Sequence, residues 1–267
     1  MLTEAQLTQF EVFGFLVLRG LLTPAEIDRA GADFDMGLAA AREGMERAGI
    51  RGQLNWSNLG PETPFLASLL EDERFFGAAQ QILGDDAVGS FSNANSFDGD
   101  RTEWHPDVVQ PDWKGIKFGF YLQPLDRNSG ALRLIPGSHR EPLLSDLRKV
   151  ALKETNEGTV DRTGLSVEEI PAFAAESEPG DVVLFDNHTW HGSYGGGTDR
   201  RMCTLGYFAS PKNAWEDAAV RSMVVADARL AATFPQLARH PQWIENAEGN
   251  PLRGRWLVTL RQWGFIQ

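Results

Sequence analysis

Apolar positions change period along this chain, and the change divides it. Near the start, Thr3 and Gln6 form a capping-box pair, and Leu2 and Leu7 are placed to staple the entry of a helix. Leu7, Phe10 and Phe13 follow at helical spacing until Gly14 ends the run, and Phe15-Leu-Val-Leu18 reads as a buried strand. Thr23-Pro-Ala-Glu26 opens a second helix with proline at its first position, and Ile27, Phe34, Leu38 and Ala41 fit one face. Residues 44–64 read as loop with an exposed Trp56, and a helix over Glu73–Leu83 ends at Gly84.

From Val88 short apolar runs alternate with turns, at 88–97, 103–109, 115–123, 131–135, 181–185 and 201–208. This spacing predicts an all-β barrel or sandwich. A charged segment, 141–178, interrupts the strands; it reads equally as a lid and as a solvated surface excursion. Helical patterning returns over 214–234 and 236–245, before a Trp-rich tail with Trp256 and Trp263. Without a repeat, a low-complexity tract or a linker, the expectation is a single domain over 1–267. Its parts are N-terminal helices over 1–87, a β core over 88–210 with the possible lid, and a helical region over 211–267.

Composition narrows the function classes. A formal charge of −12 supplies no basic stripe for phosphates, which argues against nucleic acid and weakly against an anionic membrane. The single cysteine, Cys203, permits no internal disulfide, and no apolar run reaches the length of a membrane span. The N-terminus lacks a basic stretch followed by an apolar one, so a cytoplasmic protein acting on a small molecule is the simplest expectation.

The chemistry gathers around His105-Pro-Asp107. One residue between a His and an Asp on an extended segment sets both side chains on one face, and His191 arrives 84 residues beyond Asp107 after the apolar run Val182–Phe185. Two histidines and a carboxylate with open positions opposite are the ligand set of non-haem Fe(II) oxygenases. His-x-Asp alone is common, and the other histidines have plainer readings. Asp186 and His188 read as neighbours of the site, His139 as a turn residue and His240 as a surface residue. Along Arg201–Tyr207 alternate residues share a face, and Cys203 and Leu205 suggest that this face points inward. A buried Arg201 would need an anion, which a dicarboxylate could supply, with Arg200 facing out; the plainer reading is a salt-bridged strand edge.

Taken in order, these motifs resemble the phytanoyl-CoA dioxygenase family of Fe(II)/2-oxoglutarate oxygenases. The carriers are Phe13-Gly-Phe-Leu-Val-Leu-Arg-Gly20, Trp104-His-Pro-Asp107, Asn128-Ser-Gly-Ala-Leu-Arg-Leu-Ile-Pro-Gly-Ser-His139 and Gly180-Asp-Val-Val-Leu-Phe-Asp-Asn-His-Thr-Trp-His191. The resemblance implies a mainly β fold with flanking α-helices around a double-stranded β-helix, or jelly-roll. It assigns His105, Asp107 and His191 to Fe(II). It assigns Arg201 to the distal carboxylate of 2-oxoglutarate, in the register of Tyr207-Phe-Ala-Ser210, and Asn95 to a polar contact with that co-substrate. Lys117, Phe118, Phe120 and Tyr121 become possible pocket residues, with core packing as the alternative for the aromatics. The implied reaction consumes O2 and 2-oxoglutarate and releases succinate and CO2. Related halogenases replace the carboxylate ligand by a small residue, so Asp107 favours hydroxylation. Two other readings stay open: a jelly-roll protein that binds metal or ligand without turnover, and a cupin-like metal enzyme that does not use 2-oxoglutarate.

Overall fold

The computed structural model describes residues 1–48, 53–98, 102–108, 113–150, 169–245, 247 and 250–266. Among these residues ten strands form two antiparallel sheets. The larger contains β1 (Phe15–Leu18), β2 (Leu54–Ser57), β3 (Val88–Asp98), β5 (Gly115–Tyr121), β8 (Val182–Asp186) and β10 (Thr198–Phe208), in the order β1-β8-β5-β10-β3-β2. The smaller runs β4-β9-β6-β7, from β4 (Thr102–His105), β6 (Leu132–Leu134), β7 (Phe173–Ala175) and β9 (His191–Ser193). This is the expected jelly-roll with flanking helices.

Each face of the large sheet is covered, and this decides where the side chains go. Phe15, Phe97, Tyr121, Val183, Phe185 and Met202 point toward the small sheet and meet Leu132 and Leu134. Ile116, Phe118, Phe120, Leu184, Cys203, Leu205 and Tyr207 point the other way. There they pack under α2 (Pro24–Ala48), α3 (Pro64–Leu69) and α4 (Glu73–Leu83), with Phe34, Leu66 and Phe75 fully buried. Such doubly covered strands read as nearly continuous apolar runs, so hydrophobicity alone does not tell one face from the other.

The helix ends follow their sequence signals. Thr3 accepts from the Gln6 amide and Gln6 answers to Thr3, closing the box of α1 (Glu4–Phe13), and Gly14 takes the left-handed conformation at φ 82°. Asp33, on α2, accepts from the amides of Phe65 (2.7 Å) and Leu66 (3.0 Å) at the start of α3, although Thr63 makes no cap bond there.

Several expectations are corrected. The stretch 44–64 is not simply loop: it carries β2, an edge strand too short for its alternation to stand out. Trp56 within it is buried, edge-on to Phe34 at 4.8 Å. Phe118 and Phe120 belong to the helix-side core rather than to a pocket. The tail is ordered as α8 (Pro251–Trp263), capped by Asn250, and buries Trp256 against Phe76 and Tyr207. It follows α6 (Ala214–Thr233), a short 3-10 turn at Pro235–Leu237 and α7 (Pro241–Glu245). Of the expected lid, α5 (Leu143–Val150) and β7 are described, while 151–168 lie outside the described residues.

Gly206, on β10, faces Phe91 so closely that a Cβ there would overlap the phenyl ring. Gly206→Ala should therefore cost about 1–3 kcal/mol, the usual penalty for overpacking. Urea denaturation checks this, and a Phe91→Leu, Gly206→Ala pair should lose less than the two single changes added together.

Candidate metal centre

Strand pairing creates the site. β4 runs antiparallel to β9 with His105 directly opposite His191, so the two rings lie 4.4 Å apart. Asp107 follows two residues beyond His105 as the chain leaves the strand, and the Val108 amide donates to the Asn187 carbonyl at 3.0 Å to fix that exit. Asp107 Oδ1 lies 3.7 Å from His105 Nε2 and 3.9 Å from His191 Nε2. Ligand atoms of the three residues fall within 4.8 Å of one another, the one such group of three among the described residues.

Backbone carbonyls aim both rings. His105 Nδ1 lies 2.6 Å from the Glu103 carbonyl, and His191 Nδ1 lies 2.8 Å from that of Thr189. A carbonyl only accepts, so Nδ1 carries the proton and Nε2 turns a bare lone pair toward Asp107. A second set of contacts holds the residues before His191. Trp190 donates its amide to Ser138 Oγ at 2.8 Å, and Thr189 donates its hydroxyl to the Gly14 carbonyl at 3.0 Å. Ser138 escaped the sequence reading, because a hydroxyl in a Pro-Gly-Ser turn looks like ordinary turn chemistry.

The charge balance also suits a cation. Burial holds the His191 imidazole down to about 3, so the ring is neutral and available as a ligand. Burial opposes the charge on Asp107, but the Lys117 ammonium outweighs it and holds the carboxyl below its ordinary range. Lys117 Nζ sits 2.9 Å from Oδ1 and 2.8 Å from Oδ2. The donor set is two imidazoles and one ionised carboxylate converging from one side, which fits Fe(II) in a facial arrangement.

Beside this cluster lies a cavity of about 240 Å³ between the sheets. His105, with 40% of its side chain exposed against 5% for His191, stands on the open side. Gln53, Asn93, Asn95, Lys117, Tyr121 and Thr204 contribute polar groups to the wall. Asn95 Oδ1 accepts from Gln53 Nε2 at 3.4 Å, and Gln53 also donates to Asn55 at 3.0 Å. Gln53 precedes an edge strand and carries no motif, so nothing in its sequence context marks it.

The two arginines exchange places relative to the sequence expectation. Met202 and Thr204 line the cavity and Arg200 shares their face; the guanidinium of Arg200 lies 4.0 Å over the Phe97 ring and donates to the Gly130 carbonyl at 2.8 Å. It is 2% exposed and near enough to Tyr121 to oppose the effect of burial, which pushes that phenol up to about 12. Arg201 points under the helices, beside Phe34 and 3.5 Å from Asp35. Residues 201, 203, 205 and 207 do share a face, but it is the helix-covered one. The apolar partners that suggested a barrel interior belong to the other core.

The remaining histidines stand apart from the ligand cluster. His139 bonds the Glu11 carbonyl through Nε2 at 3.1 Å, His188 pairs with Asp186 at 2.9 Å, and His240 accepts from the Gln242 amide at 3.1 Å.

The profile of the phytanoyl-CoA dioxygenase (PhyH) family matches residues 10–203. The chain belongs to that family. It is an Fe(II)- and 2-oxoglutarate-dependent dioxygenase. Among similar curated proteins, ectoine dioxygenase of Bordetella bronchiseptica is 27% identical over 215 residues, covering 72% of this chain and 70% of that one. Ectoine dioxygenase of Halomonas elongata is 32% identical over 150 residues, covering 47% and 43%. Among solved structures, HygX from Streptomyces hygroscopicus with nickel and 2-oxoglutarate bound superimposes with a TM-score of 0.58 at 17% identity, covering 79% of this chain and 88% of that one. EctD from S. alaskensis gives 0.56 at 23% identity, covering 78% and 77%. At these identities the structures speak for the fold.

The lowered His191 imidazole sets a pH dependence for the metal-free protein. Below its ordinary 6.5 the unfolded chain takes a proton that the folded chain refuses until about 3. Stability should therefore fall as pH drops through that window. Urea titrations in chelator at about pH 7 and about pH 5 should show the fall, and His191→Gln should flatten it.

Proposed function

We propose that this dioxygenase hydroxylates a small or medium-sized polar metabolite, with His105, Asp107 and His191 as the iron ligands. The observation that carries the reading is the cluster itself: two Nε2 lone pairs aimed by backbone carbonyls at one ionised carboxylate oxygen. Bound there, Fe(II) supplies the oxidising chemistry that couples O2 and 2-oxoglutarate to attack on a C–H bond, releasing succinate and CO2.

The chain's own residues bind and orient. Arg200 takes the role that the family register gave to Arg201, receiving the distal carboxylate of 2-oxoglutarate. Its guanidinium is buried on the cavity-facing side of β10, where an anion is a suitable partner. Tyr121, kept as the neutral phenol by burial, adds a hydroxyl donor beside it. Asn95 contributes an amide on the opposite strand, with Gln53 orienting its oxygen. Phe97, Phe185 and Met202 exclude water from the co-substrate's methylene chain.

The wall chemistry favours a substrate with hydroxyl, amide or charged groups over a bare hydrocarbon chain, since Asn93, Thr204 and Gln53 place amide and hydroxyl groups on the wall that a hydrocarbon would strip of water. The retained carboxylate of Asp107 supports hydroxylation over halide transfer. We read 1–267 as one oxygenase domain acting in the cytoplasm, as the lone cysteine suggests. Among the described residues no helix is long and apolar enough to cross a membrane.

The test is 2-oxoglutarate turnover without added substrate, read as succinate formed with Fe(II) and ascorbate. Succinate at the level of a metal-free control would overturn the reading. Arg200→Gln should weaken co-substrate binding by about 1–3 kcal/mol, the loss of a charged hydrogen-bond partner. Arg201→Gln should stay near wild type, and calorimetry on the Mn(II)-loaded protein measures both.

A further inference from the structure

Lys117 is not a member of the ligand triad, yet no other side chain is more closely engaged with Asp107. On β5 it lies opposite Phe185 of β8 and Gly206 of β10, so one neighbour is an aromatic ring and the other has no side chain. Its ammonium passes between two rings, 5.8 Å from the centre of Phe185 and 5.9 Å from that of Phe91. Phe91 lies close against Gly206, and Phe185 lies against His191 at 4.8 Å. This sleeve leaves the ammonium directed at Asp107, where it meets both carboxylate oxygens.

The two oxygens are not equivalent. Lys117 Nζ reaches both, at 2.9 Å from Oδ1 and 2.8 Å from Oδ2, whereas His105 and His191 Nε2 make their contacts, 3.7 and 3.9 Å, with Oδ1. A facial triad works only if three positions remain open, two for the chelating co-substrate and one for O2. A carboxylate that swings to bind through both oxygens takes one of them.

We propose that Lys117 is a positioning residue that tethers Oδ2 and so keeps Asp107 a one-oxygen ligand. The same ammonium adds a second positive charge to that of the Arg200 guanidinium, as a dianionic co-substrate calls for. Among the described residues lining that cavity, Lys117 is the one Lys or Arg. The inference rests on the reading of the triad as the iron site.

Two opposed effects on binding make it testable. The ammonium repels the metal and attracts the co-substrate. Lys117→Met should therefore bind Mn(II) as tightly as wild type or more so, read by the electron paramagnetic resonance of the free ion. Calorimetry should show 2-oxoglutarate binding the Mn(II)-loaded variant at least about tenfold more weakly, a loss of about 1.4 kcal/mol. The Co(II)-loaded variant should show a weaker visible absorption than wild type, as coordination number rises, and Lys117→Arg should restore most of both signals. If Lys117→Met loses metal and co-substrate together, the residue is merely structural and the proposal fails. It fails equally if co-substrate affinity and the Co(II) spectrum are unchanged. If the wild-type protein binds no 2-oxoglutarate with Mn(II), the proposed function itself falls.

Discussion

The register between β4 and β9 is the constraint on which the rest depends. It alone sets His105 opposite His191, two residues from distant parts of the chain. A slip of one residue would turn one imidazole to the other face and dissolve the cluster. Much of the surrounding structure guards that register. β6 pairs with β9 on its other side, Trp190 is tied to Ser138, and Thr189 is tied back to the N-terminal Gly14. The Pro-Gly-Ser turn and the first helix, which carry no chemistry, thus help to hold an imidazole in place.

What could be read from the sequence was whatever repeats or whatever bears chemistry. The capped helices α1 and α4 and the strands β3, β5, β8 and β10 announced themselves by period and by their turn residues. His105, Asp107 and His191 announced themselves through residue types that a core rarely needs together. The short edge strand β2 did not, because four residues of alternation next to a loop resemble the loop. Trp56 was misjudged with it. The arginine pair shows the deeper reason. Alternation correctly grouped 201 with 203, 205 and 207, but β10 is buried on both faces, and hydrophobicity carries no sign that separates a helix-facing core from a ligand-facing one. Only the partner strands resolve it: Arg200 lies opposite Phe97, and Phe97 looks into the space between the sheets.

Electrostatics and packing are coupled at the same place. An ionised Asp107 is tolerable in a dry cavity because an ammonium meets both of its oxygens, and the ammonium holds its direction because two aromatic rings confine it. The glycine at 206 belongs to the same arrangement, since the ring of Phe91 can lie along the sheet only where β10 offers no side chain.

Phe91 has a second face. Beyond the cavity it packs with Phe208 in a cluster that also takes in Ala219 and Val220 of α6, with Trp263 and Phe265 at the end of α8 packed against the same cluster. These helices lie past the region that the family profile covers, which ends at residue 203. One aromatic ring therefore joins two layers, with the metal-side cavity on its inner side and a helical layer on its outer side. Substitutions in that outer layer can reach the reaction chamber through a single side chain, without touching any ligand. Changes confined to the C-terminal helices could thus retune the shape of the chamber while leaving the oxidising centre as it is.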